Sequence, residues 1–123
     1  MTVETAAGIQ MSNDMLVGYL RYLVDRFFKI LPIKENKNGE FNEGDLIVYI
    51  ESLQTELLGC QGLILALKND PAFVSLLNIL QYMIDNEDCS KVTTKREVFR
   101  AISICNFLRD KYSKLGEKGG DSE

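Results

Sequence analysis

Residues 94–115 read TKREVFRAISICNFLRDKYSKL, and this stretch has the strongest helical pattern in the chain. Thr94 followed by Glu97 has the spacing of a capping box, in which both side chains satisfy amides at a helix start. At about 100° per residue, one face of this helix is apolar. That face comprises Val98, Ala101, Ile102, Cys105, Leu108, Tyr112 and Leu115. We therefore predict a core-facing helix that begins at Thr94 and ends at Gly116, where glycine favours a left-handed cap.

The same helix carries a second row of side chains on its other side. This row contains Phe99, Ser103 and Phe107, and four cations lie close to it: Arg96, Arg100, Lys111 and Lys114. One explanation is that another helix of the bundle buries the row. The other is a binding surface, because aromatic and arginine side chains dominate protein recognition sites. The same combination also suits base stacking and phosphate contacts. The sequence leaves these alternatives open.

A first helix is predicted over residues 13–31. Ser12 or Asn13 caps its start, and Pro32 is expected to stop it because proline lacks an amide hydrogen. Its core face comprises Leu16, Leu20, Leu23, Val24, Phe27, Phe28 and Leu31. Tyr19 and Tyr22 form a neighbouring row, which stays partly exposed if the helix packs on one side only. This row is a second candidate for partner binding.

Two more helices lie between these elements. Asn42 is expected to cap one of them, and Gly59 and Gly62 weaken its pattern, since each glycine costs about 1 kcal/mol inside a helix. The glycines predict a kink or a break before a short helical piece over 63–68, or else a close backbone approach. Asp70 followed by Pro71 is a strong start signal for the next helix, which ends near residue 86.

The combined pattern predicts an all-α fold, a compact bundle of four to five helices. Residues 13–116 form this helical bundle domain, preceded by a flexible leader over 1–12 and followed by a disordered tail over 117–123. We expect seven side chains to be almost fully buried: Leu20, Phe27, Leu53, Leu77, Leu80, Ile102 and Leu108. A chain of 123 residues is long enough to bury such a core without disulfides or a metal ion.

Composition and the start of the chain indicate the cellular compartment in which the protein works. Cys60, Cys89 and Cys105 are odd in number and lack CxxC spacing, which favours reduced thiols over a disulfide framework. The start of the chain lacks the basic end and apolar stretch of a signal peptide, and no run of 18 apolar residues occurs. We therefore expect a cytoplasmic protein with no membrane association.

Charge is distributed unevenly along the chain, whose net charge is −4. Residues 35–90 carry ten acids against two lysines, a net of −8, whereas residues 91–118 carry eight bases against three acids, a net of +5. The basic helix either packs beside acidic neighbours or steers a charged partner. An acidic chain disfavours general nucleic-acid binding, which depends on many phosphate contacts.

Catalytic and metal chemistry find little support in the sequence. The chain has no histidine, and it lacks both a Walker A pattern and GxGxxG. Residues 34–45 imitate a calcium-binding EF-hand loop, with Gly39 at the turn position and Asp45 at the closing position. However, Lys34 stands where the first acidic ligand belongs. We therefore expect no enzyme activity, no cofactor and no metal site.

In general character, the whole chain resembles the small all-helical accessory proteins of prophages and other mobile elements in Gram-positive bacteria. This resemblance implies no particular functional residue. The leading hypothesis is a non-enzymatic interaction module that binds a partner protein or a second copy of itself. The alternative is a nucleic-acid-associated regulatory protein that uses the basic, aromatic face of the last helix.

Overall fold

The computed structural model describes residues 2–4 and 10–121, with side chains described over 12–114. Two short strands come first, β1 (Thr2–Glu4) and β2 (Gln10–Ser12). The helices follow as α1 (Asn13–Phe28), α2 (Ile30–Glu35), α3 (Asp45–Leu63), α4 (Leu65–Lys68), α5 (Pro71–Asp85) and α6 (Lys91–Asp121). Because α4 is a single turn, the described chain is built on five longer helices, which confirms the predicted all-α bundle. No helix in this part of the chain has the length and apolar character needed to cross a membrane.

The core forms around the apolar face of α6. α1 and α5 both pack against this helix, and α3 packs against α5. The face of α6 predicted to be apolar is buried at every position whose side chain is described: Val98, Ala101, Ile102, Cys105, Leu108 and Tyr112. Of the seven side chains expected in the core, all are buried except Leu77, which is half-buried and packs against the core from its edge.

The predicted stop at Pro32 is wrong. α1 ends at Phe28, where the Lys29 amide still donates to the Asp25 carbonyl (3.1 Å), and α2 restarts at Ile30. Pro32 therefore lies in the first turn of a new helix, where backbone amides have no acceptor within the helix. A proline at such a position removes no hydrogen bond, so α2 continues to Glu35.

α3 runs through both glycines that were expected to interrupt it. The break falls later, at Ile64, whose extended backbone separates α3 from α4. A Cβ atom added at Gly59 or Gly62 would have nothing within 4 Å, so no close backbone approach explains these residues. The start also differs from the prediction. Gly44, with φ of 91°, occupies the cap position in place of Asn42.

α6 begins one turn earlier than the capping box predicts. The Ser90 hydroxyl accepts a hydrogen bond from the Thr93 amide (3.1 Å), and this contact starts the helix at Lys91. Thr94 then lies inside the helix, buried, with its hydroxyl 3.3 Å from the Cys89 sulfur. The prediction of Thr94 as cap is therefore wrong.

Both ends of the chain depart from the expected leader and tail. β1 and β2 form an antiparallel ladder with Thr2 opposite Ser12, so part of the leader has regular structure that the sequence pattern does not predict. Residues 1 and 5–9 lie outside the described residues. α6 continues past Gly116 to Asp121, because a glycine permits a helix to end without forcing it to do so. Residues 122–123 of the expected tail lie outside the described part.

A buried polar cluster joins the C-terminal half of α6 to the rest of the bundle. The Asp70 carboxylate caps α5 by accepting from the Ala72 amide (2.9 Å). Its other oxygen accepts from Lys111 Nζ (2.9 Å) and from the Tyr112 hydroxyl (3.1 Å). The Asn13 amide donates to the Tyr112 carbonyl (2.8 Å), which adds the start of α1. Burial raises the pKa of Asp70, but these donors outweigh it, and the pKa lies below the ordinary carboxyl value.

Gly59→Ala should stabilise the protein by about 1 kcal/mol, because alanine is the better helix former and its methyl group meets no neighbour. Gly44→Ala is the matched control. It should destabilise the fold by about 1 kcal/mol, because φ of 91° strains any residue with a Cβ. Urea unfolding of both variants measures the difference. A destabilised Gly59→Ala would mean that α3 does not pass through this position as a regular helix.

Asp70→Asn keeps a good capping residue but removes the charge that Lys111 contacts. We expect a loss of about 1.5–3 kcal/mol at pH 7, the size of hydrogen bonds to charged groups. Because the folded pKa of Asp70 is lowered, this stabilisation is complete above the unfolded pKa of about 3.9 and disappears as pH falls through the folded pKa. Urea unfolding at pH 7, 5, 4 and 3 should therefore show the wild type approaching Asp70→Asn only at the acidic end. A difference independent of pH would contradict the assignment.

Candidate interaction surface

The outer face of α6 exposes the aromatic row that the sequence singles out. Phe99 is 42% exposed and Phe107 is 59% exposed, so neither ring belongs to the core. Phe28, at the end of α1, is 40% exposed and meets Phe99 edge to face, with ring centroids 5.8 Å apart. The sequence pattern placed Phe28 in the core, and this placement is wrong. Phe28 and Phe99 lie where antiparallel α1 and α6 meet, and Phe107 lies about two turns further along the exposed side of α6.

Arg96 and Arg100 flank this row, but both already have an acidic partner. Arg96 Nε lies 3.1 Å from one Glu97 oxygen, and Arg100 Nη1 lies 2.7 Å from the other. The Glu97 carboxylate is buried, whereas both arginine side chains are more than half exposed. The two guanidinium groups therefore neutralise a buried carboxylate and present their remaining donors to the surface.

Lys111 and Lys114 differ in their availability to a partner. Lys111 holds the buried Asp70, so its ammonium group is committed to the core cluster described above. Lys114 is largely exposed and lies 2.9 Å from Asp110, one turn away on the same helix. Exposed pairs of this spacing contribute little to stability. Of the four predicted cations, Lys111 is thus chiefly structural.

Tyr19 and Tyr22 do not lie on the surface formed by the phenylalanines. The Tyr19 hydroxyl donates to Glu56 of α3 (2.8 Å), and the Tyr22 side chain, 47% exposed, lies beside Tyr19 with ring centroids 5.9 Å apart. Arg26 forms a salt bridge to Glu56 (2.7 Å) and donates to the hydroxyls of Tyr22 (2.8 Å) and Tyr49 (3.1 Å). This network connects α1 to α3 through long polar side chains. The predicted site residues therefore fall into two separate regions.

Burial explains the state of the titratable groups in and near this network. It raises the pKa of Tyr19, and hydrogen bonds to Cys60 and Glu56 raise it further. Burial also raises the pKa of the Cys60 thiol, and it raises that of Cys105 to about 12. All three cysteines are free, and Cys105 is the one that is fully buried. The raised pKa values keep Tyr19, Cys60 and Cys105 protonated at neutral pH, which suits structural contacts rather than nucleophilic chemistry.

The loop that imitates an EF-hand closes on itself. The Asn36 side chain accepts from the Phe41 amide and donates to the Phe41 carbonyl, both at 3.0 Å. Asp45 accepts from the Asn42 amide (2.7 Å). Side-chain oxygens that would ligate calcium thus hold the turn together. No group of three or more potential metal ligands occurs among the described residues.

Two clefts flank the exposed row of α6, and the sequence pattern does not reveal either of them. One, of about 300 Å³, lies between α5 and α6 and is lined by Ser75, Asn78, Ile79, Tyr82, Arg96, Glu97 and Arg100. The other, of about 330 Å³, lies between α1 and α6 and is lined by Val17, Arg21, Asn106, Arg109, Asp110 and Ser113. Helix pairing creates both clefts, so they could not be located from the pattern of one helix alone.

No protein-family model matches the chain, and neither a curated protein nor a solved structure is significantly similar to it.

Phe107→Ala should change the free energy of unfolding by about 0.5 kcal/mol or less, as surface substitutions do. Phe99→Ala should cost about 0.5–1.5 kcal/mol, because it loses the edge-to-face contact with Phe28. Phe27→Ala, at a buried position of α1, is the matched control and should cost about 3–5 kcal/mol. Thermal and urea unfolding give these values. A loss at Phe107 as large as that at Phe27 would place Phe107 in the core and remove it from any binding surface.

Proposed function

We propose that this chain is a non-enzymatic interaction module that binds an acidic partner protein through the outer face of α6. The observation that carries the proposal is the exposure of Phe99 and Phe107 on the most basic helix of an otherwise acidic chain. Phe28 extends the same apolar area onto α1. Exposed aromatic rings bordered by cations are typical of the centres of protein interfaces.

The surface favours a protein partner over a nucleic acid. Arg96, Arg100 and Lys111 are already paired with carboxylates of the chain, which reduces the positive charge they offer to phosphates. Nucleic-acid affinity rises with the number of phosphates neutralised, and the net charge of −4 opposes it. A partner with apolar and acidic side chains would cover the rings and contact the remaining donors of the arginines.

A second copy of the chain is one form that an acidic partner can take. Residues 35–90 carry a net charge of −8, complementary to the net +5 of residues 91–118. In a symmetric dimer, the acidic region of each copy would meet α6 of the other, whereas a head-to-tail arrangement of the same contact would build rings or open chains.

Capture from native cell extract tests the proposal, with the Phe99→Ala/Phe107→Ala double variant compared against the wild type. Loss of two central rings should reduce the recovery of true partners at least tenfold. Leu58→Ala is the matched control, because Leu58 is 52% exposed but lies on α3, and it should leave capture unchanged. Lys95→Glu adds a charge test at an exposed residue of α6 with no acidic partner in the described chain. It should weaken capture without disturbing Glu97.

Two further measurements separate the alternatives. Sedimentation velocity from micromolar to millimolar concentration reports self-association, which the double variant should abolish if copies are the partner. Fluorescence anisotropy with DNA and RNA oligonucleotides at low and high salt reports nucleic-acid binding. The proposal is wrong if the wild type and the double variant recover the same proteins, or if salt-sensitive nucleic-acid binding is what the aromatic substitutions remove.

A further inference from the structure

The five arginines of the chain differ in whether they form a salt bridge. Arg26 pairs with Glu56, and Arg96 and Arg100 pair with Glu97. Arg21 and Arg109 form no salt bridge with any described residue. Both line the cleft between α1 and α6, one contributed by each helix. The structure thus brings to one place the two arginines that have no acidic partner in the described chain.

Some of the arginine N–H donors in this cleft have no hydrogen-bond acceptor among the described residues. Arg109 Nη1 donates to the Asn106 side-chain oxygen (3.0 Å), while Arg109 Nε is buried without a hydrogen-bond partner in the described chain. A buried donor without an acceptor is destabilising, and each guanidinium group carries five N–H donors. Arg21 makes no hydrogen bond to another described residue. Some of these guanidinium donors therefore have no acceptor among the described residues.

The remaining lining residues suit a small, negatively charged group. The Ser113 hydroxyl and the Asn106 amide add neutral hydrogen-bonding groups. Asp110 is the one acid among the described lining residues, and its carboxylate lies 2.9 Å from Lys114 Nζ, which offsets its charge. A volume of about 330 Å³ is at the lower end of the range for ligand sites, so it fits a compact ionic group better than a nucleotide.

We infer that the cleft between α1 and α6 binds an oxyanion, a phosphate or a carboxylate group, between the guanidinium groups of Arg21 and Arg109. Arginine matches such groups with paired, charge-assisted hydrogen bonds in a fixed fork, which lysine cannot form. The ligand would be either a free phosphate or phosphoryl group, or a carboxylate such as an aspartate or glutamate side chain. The inference does not depend on the proposed function, because it concerns a separate set of residues from the phenylalanine row.

The test follows the arginine Nε–Hε signals of the ¹⁵N-labelled full chain by NMR at pH 7 and constant ionic strength. Inorganic phosphate is titrated in one series and acetate in another. Two arginine signals should shift with saturation, and Arg21→Gln and Arg109→Gln should each remove one of them and weaken binding about tenfold, the effect of losing a charge-assisted hydrogen bond. Tighter phosphate binding would identify a phosphoryl ligand, and tighter acetate binding would identify a carboxylate.

Lys37→Gln is the matched control, since it removes one positive charge from the loop after α2 and lines no part of this cleft. Its affinity for either probe should stay within twofold of the wild type. Arg21 is exposed, so Arg21→Gln should fold normally, and its amide spectrum checks this even if Arg109→Gln proves unstable. Shifts that never saturate, or an affinity unchanged in Arg21→Gln, would overturn the inference. Loss of partner capture alone would leave these titrations unaffected, so the two proposals fail separately.

Discussion

The structure depends on the burial of a single apolar face of α6. α1 and α5 both pack on that face, and its residues have little or no contact with solvent. Two helices that pack on one side of a third helix bury about one apolar face of it. Side chains on the opposite face of that helix therefore remain exposed to solvent. The exposure of Phe99 and Phe107 is thus a consequence of how the core closes. Their position is fixed by the same packing that stabilises the bundle, which gives the surface a rigid base.

Buried carboxylates determine how much of the basic character of α6 is left for a partner. Asp70 and Glu97 are both almost inaccessible to solvent, and such charges are costly unless paired. Lys111 pairs with the first, and Arg96 and Arg100 pair with the second. The ordinary explanation for the charge asymmetry, that a basic helix packs beside acidic neighbours, therefore accounts for Lys111, whereas Arg96 and Arg100 are neutralised by Glu97 of α6 itself. Binding of the proposed partner on this face would then depend more on the aromatic rings than on charge.

The sequence predicted the parts of the fold that depend on periodicity. Apolar spacing located the buried faces of α1, α5 and α6, because a core requires one continuous stripe whatever the neighbours are. It failed where two local signals compete. Ser90 and Thr94 are both good capping residues, and only the packing of Thr94 inside the bundle decides between them. Pro32 on its own predicts the end of a helix. Because the helix already breaks three residues earlier, at Lys29, Pro32 falls in the first turn of α2, where proline is tolerated.

In the candidate site, too, the sequence predicts what depends on one helix and does not predict what depends on contacts between distant residues. The pattern of one helix suffices to place Phe99 and Phe107 on a face of their own, although it cannot say whether another element covers them. Arg21 and Arg109 are 88 positions apart in the chain, and nothing in either neighbourhood marks them. What distinguishes Arg21 and Arg109 is that neither has an acidic partner among the described residues, and this depends on where the carboxylates lie in three dimensions. Because α1 and α6 run antiparallel, the cleft and the Phe28–Phe99 contact occupy opposite ends of one seam between the helices. A partner that lay along this seam would meet apolar rings at one end and unsatisfied guanidinium donors at the other, which would fix its direction as well as its position.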